Sequence, residues 1–139
     1  MSGYYHSPTI YGDRLVFVSE DDLWTVSPDG GVARRLTSAL GATRSPQFSA
    51  DGSRLAFVAS DEGPAEVHVM DAEGGEASRL TYQAANAIVA GWTPDGDGIY
   101  YATNGAQPYA HVYSLWTQPV ARTVTDAISG AVRQSVRDA

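Results

Sequence analysis

The sequence predicts an all-β protein made of β-propeller blades, each a sheet of four antiparallel strands, with three such repeats in the chain. Three observations predict it. Arg35-Leu36-Thr37 returns as Arg79-Leu80-Thr81, and Ala50-Asp51-Gly52 returns as Pro94-Asp95-Gly96, both after 44 residues. Arg14-Leu15-Val16-Phe17-Val18 returns as Arg54-Leu55-Ala56-Phe57-Val58 after 40 residues and as Gly98-Ile99-Tyr100-Tyr101-Ala102 after a further 44. A period of about 40–45 residues broken by turn residues is that of propeller blades. Last, Gly-Gly and Asp-Gly pairs fall between the apolar segments, where a hairpin needs residues that tolerate positive φ.

The repeats divide the chain at about residues 5–40, 41–85 and 86–125, a three-blade segment over 1–125, with a tail over 126–139. In the second repeat, strand one lies near Pro46-Gln47-Phe48-Ser49, and Asp51-Gly52 turns the chain. Strand two, Arg54 to Ala59, is almost wholly apolar, as suits a strand covered on both faces. Strand three is Glu66 to Asp71, Gly74-Gly75 makes the next hairpin, and strand four ends at Arg79-Leu80-Thr81. The first repeat follows the same order, with Leu23-Trp24-Thr25-Val26 as strand three and Gly30-Gly31 in the turn. The third opens with Gly91-Trp92-Thr93-Pro94-Asp95-Gly96 and Gly98 to Thr103, and Leu115-Trp116-Thr117 echoes Leu23-Trp24-Thr25. Its Gly-Gly hairpin is missing, and Ala121 to Thr125 only weakly echoes Ala33 to Thr37. In the tail, Ile128, Val132 and Val136 share one helical face, with Thr125 or Asp126 as N-cap. Gly130 costs such a short helix about 1 kcal/mol.

Sixteen acids face nine basic residues, all arginine, for a net charge of −7. That balance argues against nucleic acid, whose phosphates need clustered cations, and against an anionic membrane surface. There is no cysteine, so disulfides and thiolate metal sites are excluded. Met1 to Tyr11 has no secretory pattern, and no apolar run reaches the roughly 18 residues of a membrane helix. The expectation is a soluble protein of a reducing compartment.

His68 occupies the strand-three slot held by Trp24 in the first repeat and Trp116 in the third, so it reads as a packing residue. His6 lies before the first strand and His111 in the long connection of the third repeat. Neither has a partner in sequence that would orient it as a catalytic base. The chain holds no Gly-x-Ser-x-Gly elbow, no His-Glu-x-x-His and no P-loop. Asp95-Gly96-Asp97-Gly98 starts like a calcium loop, but Ala106 stands at the twelfth position where a glutamate is required. The runs Glu20-Asp21-Asp22 and Asp61 to Glu66 read as solvated turns. No catalytic residue, metal site or cofactor is expected. The loop from Asn104 to Ala110 is longer than its counterpart in the first repeat. Its Asn104, Gln107 and Tyr109 are the candidates for contact with a peptide or protein.

The opening Pro8 to Val18, followed by Asp21-Asp22-Leu23-Trp24, resembles the start of the tricorn protease propeller. The order Phe48-Ser49-Ala50-Asp51-Gly52, two strands, Gly-Gly and Arg-Leu-Thr is similar to the wider TolB-type repeat. Together they cover about residues 5–120. The resemblance implies a six-bladed N-terminal propeller, followed by a second propeller and a serine-peptidase core. It also implies a hexameric cytosolic assembly in which propellers are passages for oligopeptides. The family's catalytic residues lie in regions not contained here, so the chain is not expected to be an enzyme by itself. The alternatives are a TolB-like interaction propeller of an envelope complex, or a truncated product whose residues 121–139 have left the family's register. Since three is half of six, two copies could close a ring head to tail as a homodimer.

Overall fold

Three antiparallel sheets follow one another along the chain. The computed structural model describes residues 5–60, 63–82, 85–104 and 114–120. The first sheet runs in the order β1 (Tyr5–Tyr11), β2 (Arg14–Ser19), β3 (Asp22–Val26), β4 (Arg34–Arg35). The second repeats it with β5 (Ala42–Phe48), β6 (Arg54–Ser60), β7 (Glu66–Asp71), β8 (Ser78–Arg79). The third holds β9 (Ala87–Trp92), β10 (Gly98–Thr103) and β11 (Ser114–Pro119). These are propeller blades. The fourth strand expected at residues 121–125 and the helical tail expected over 126–139 lie outside the described residues.

The second strand of each blade is apolar because it is sandwiched. In β6, Leu55 and Phe57 face the first blade, packed with Val16, Val18 and Leu23. Ala56 and Val58 face the third blade, packed with Ile99, Tyr101 and Trp116. Alternation along a strand thus sends one set of side chains backward and the other forward. All five of Leu55 to Ala59 are 3% exposed or less. First strands meet one another, β1 against β5 and β5 against β9, while the main contacts of β4 and β8 are with β3 and β7. The blades therefore fan out from an axis lined by β1, β5 and β9.

Two devices repeat. The first lies within a blade and gives the Arg-Leu-Thr motif its meaning. Leu23 N–H donates to Thr37 Oγ1 (2.9 Å), which donates to Asp22 Oδ1 (2.9 Å). Val67 N–H likewise donates to Thr81 Oγ1 (2.9 Å), which donates to the Glu66 carboxylate. The arginine two residues before each threonine, Arg35 or Arg79, lies near the same acid, at 3.7 and 3.8 Å. Strand four is thereby clasped to the start of strand three.

The second device joins blades. Arg14 Nη2 donates to the Gly52 carbonyl of the next blade (2.7 Å), and its guanidinium lies 5.6 Å from the Phe48 ring centre. Arg54 Nη2 donates to the Gly96 carbonyl (2.7 Å) and sits 5.1 Å from the Trp92 ring centre. The receiving carbonyl is held by an Asx turn. Asp51 Oδ1 accepts from Ser53 N–H, Ser53 Oγ and Ser49 Oγ, and these bonds hold its carboxyl below the usual carboxylate range. Asp95 makes the same turn with Thr93 and Asp97. Replacing Arg54 by alanine is expected to cost about 1–2 kcal/mol, from one charge-assisted hydrogen bond and one partly exposed cation–π contact. Urea unfolding of the variant measures it, and an unchanged midpoint would show that the staple is ornamental.

Each first strand also carries a bulge, which the sequence reading did not anticipate. The pairing jumps between His6 and Thr9 and between Arg44 and Gln47, and it shifts again where Tyr100 and Tyr101 face Gly91 and Val89. His6, placed before the first strand by sequence, lies within β1, because the bulge lets the strand run on past Pro8. The strand expected near Pro46–Ser49 begins at Ala42 for the same reason.

Candidate functional site: the inner wall

The bulges occupy the wall that β1, β5 and β9 form around the axis. In β1 the bulge is His6-Ser7-Pro8, with Ser7 at φ 52°, and in β5 it is Arg44-Ser45-Pro46, with Ser45 at φ 54°. Positive φ is uncommon for a residue with a Cβ. Proline lacks the N–H that a ladder needs, so it suits an unpaired edge or a bulge. His6 Nδ1 and Ser7 Oγ share a hydrogen bond (3.1 Å). His6 pairs with Val18, Arg44 with Val58 and Ile88 with Ala102, so the three side chains hold equivalent positions in successive blades. Arg44 and Ile88 are exposed.

Of the sequence candidates, Asn104 is half-buried and follows Thr103, the last residue of β10. Thr103 pairs with Ala87, so Asn104 lies at the end of the third blade where β9 begins. Gln107 and Tyr109 lie outside the described residues, as does His111. Two hollows flank the wall. One of about 560 Å³ lies between the Asp51 and Asp95 hairpins, with the Arg54 staple in its lining. Another of about 290 Å³ opens on the outer flank of the first blade, lined by Tyr5, His6, Pro8, Leu15 and Phe17. Among the described residues no group of three or more His, Asp or Glu is placed to hold a metal ion.

His68 does fill the aromatic slot. Its ring stacks on Phe57 at 5.6 Å between centres and 21° between planes, and Nδ1 is 3.0 Å from the Glu66 carbonyl oxygen. Phe17 pairs with Trp24, Phe57 with His68 and Tyr101 with Trp116, which aligns the three slots. Burial pushes the His68 pKa below its ordinary value of 6.5. As pH falls, the unfolded chain then takes up the proton first, so His68 contributes full stability above about 6.5 and progressively less below it. We expect stability to drop as pH falls below about 6.5, and to drop less in His68→Phe, which keeps the stack without the titration. Identical pH dependence in the two proteins would remove His68 as the cause.

The likeness to known proteins agrees with this geometry. The family model described as the tricorn protease N-terminal beta propeller domain matches residues 2–135. Tricorn protease homolog 1 of Streptomyces coelicolor is 37% identical over 103 residues, covering 73% of this chain and 10% of that protein. The crystal structure of the tricorn protease superimposes with a TM-score of 0.77 at 29% identity, over 92% of this chain and 13% of that one. TolB from Acinetobacter baumannii gives a TM-score of 0.70 at 20% identity, over 98% of this chain and 32% of that one, a likeness of fold alone. The chain spans about a tenth of the length of the tricorn homologue it matches.

Proposed function

The chain belongs to the tricorn protease N-terminal β-propeller family, and from that premise we propose that it is a non-catalytic wall segment of a passage for oligopeptides. In this reading hydrolysis belongs to a serine-peptidase core elsewhere in a cytoplasmic assembly, and these blades guide peptides toward or away from it. The observation that supports it is the side-by-side arrangement of β1, β5 and β9. The outer edge of each first strand is unpaired within its own sheet and is available to an extended peptide backbone. Titrating the chain with labelled short peptides tests the reading. Weak, sequence-tolerant binding without cleavage is expected, and turnover by the pure chain or no peptide binding at all would overturn it.

A second reading concerns the flanks. Leu15 and Phe17 are only half-buried, yet their counterparts Leu55, Phe57, Ile99 and Tyr101 are each 0% exposed beneath a preceding blade. At the far end, Gly98 stands where Arg14 and Arg54 supply their staples, and Gly12-Asp13 is too short a turn to receive one. Two copies stacked head to tail would thus meet at a seam where neither half of the staple is required, closing a six-bladed ring. Light scattering after size exclusion gives the answer directly. A mass of two chains at both high and low loading supports the ring, and a folded monomer rejects it.

A further inference from the structure

We propose that Arg44, with Ser45 beside it on β5, forms a recognition site for the carboxylate side chains of acidic peptides. The inference rests on the passage reading above and deepens it by assigning a ligand class to the wall.

Arginine use in this protein is economical. Arg14 holds Glu73 and the Gly52 carbonyl, and Arg34 holds the Glu73 carbonyl. Arg35 lies on Asp22, Arg54 on the Gly96 carbonyl, and Arg79 on Glu66 and the Thr81 carbonyl. Each ties strand to strand or blade to blade. Arg44 is the exception: among the described residues its side chain has no hydrogen bond, ion pair or ring contact, and it is exposed. It also stands on the innermost strand of the middle blade, at the position equivalent to His6 in the blade before.

The backbone at this level is strained, and the strain is not needed for the fold. Left-handed serines at Ser7 and Ser45 cost of order 1–2 kcal/mol each. The third blade has its own bulge, built with Val89 and Ala90, without a serine, a proline or a positive φ. A bulge that merely twists the strand can therefore be made more cheaply. What the first two blades add is a nitrogen-bearing side chain followed by a hydroxyl, in His6-Ser7-Pro8 and again in Arg44-Ser45-Pro46, where the first residue is an arginine cation. Strain kept beyond structural need is a mark of ligand sites. Cation plus hydroxyl is a donor set for an anion.

The charge of the chain narrows the anion. A net charge of −7 opposes polyphosphate chains and long acidic runs. An isolated carboxylate is different, because a guanidinium receives it through two parallel N–H donors. An open wall, in contrast to a closed end, presents this fork to side chains of a passing peptide.

The test uses the full chain and fluorescence anisotropy with a labelled, C-terminally amidated peptide that carries one glutamate among uncharged residues, and its glutamine counterpart. The glutamate peptide is expected to bind about ten-fold tighter, the worth of one charge-assisted bidentate contact. Arg44→Gln should erase that preference while leaving the glutamine peptide's affinity and the melting temperature unchanged. Arg44→Lys should keep part of it, since it retains the charge and loses the fork. Equal binding of the two peptides would overturn the site and leave the passage reading standing, whereas absence of binding by either would overturn both. A preference that survives Arg44→Gln, or one shown only by a glutamine peptide with a free C-terminal carboxylate, would also overturn the assignment.

Discussion

Replacing Phe57 by alanine should destabilise the chain by about 3–5 kcal/mol, the usual cost of emptying a fully buried aromatic site. Phe57 is 0% exposed, lies in the cluster that joins the first two blades, and carries the His68 ring on its other side. The void would open between sheets whose backbones are pinned by their own ladders, so collapse around it is limited. Phe17→Ala is the internal control. The same side chain at the same repeat position is half-buried on the open flank, and its loss should cost about 1 kcal/mol. Urea midpoints of both variants decide the matter. For the monomer, similar losses at the two sites would mean that a neighbouring blade adds little, contrary to the packing described.

Thr81→Val should be nearly as damaging, at about 2–4 kcal/mol, although it is almost isosteric. The hydroxyl accepts from the Val67 amide and donates to Glu66, and all three residues are 2% exposed or less. Valine leaves a buried N–H and a buried carboxylate short of a partner, and each omission carries its own desolvation cost. Thr37→Val makes the same deletion where the acid, Asp22, is 16% exposed in its side chain and water can substitute, so it should cost about half as much. A double-mutant cycle of Thr81→Val with Glu66→Gln then isolates the clasp, and additive effects would show that the two groups do not act together.

The blade order was legible because repeats write the same physics several times over. Arg54 to Ala59 is apolar on both faces, Asp51-Gly52 and Gly74-Gly75 can only be turns, and the 44-residue echo aligns them. The assignment of His68 to the aromatic slot came from the same alignment. What the motif Arg-Leu-Thr does was not readable, since its partner acid sits on another strand and only pairing brings them together. The wall at Arg44 escaped notice for a related reason. A bulge leaves no mark in hydrophobic alternation except a proline out of place, and Ser-Pro at 7–8 and 45–46 was that mark. Loop length drew attention to Asn104, Gln107 and Tyr109 instead, and only Asn104 falls within the described residues.

Both arginine staples between the described blades reach forward. The acceptor for Arg14 lies 38 residues downstream at Gly52, and that for Arg54 lies 42 residues downstream at Gly96. On a ribosome a finished blade must therefore wait for its successor, which at about 5–20 residues per second takes several seconds. Until then its guanidinium is loose and its forward apolar face is bare. Assembly is vectorial, each newborn blade locking the one made before it, and the youngest blade is always the one most in need of a chaperone.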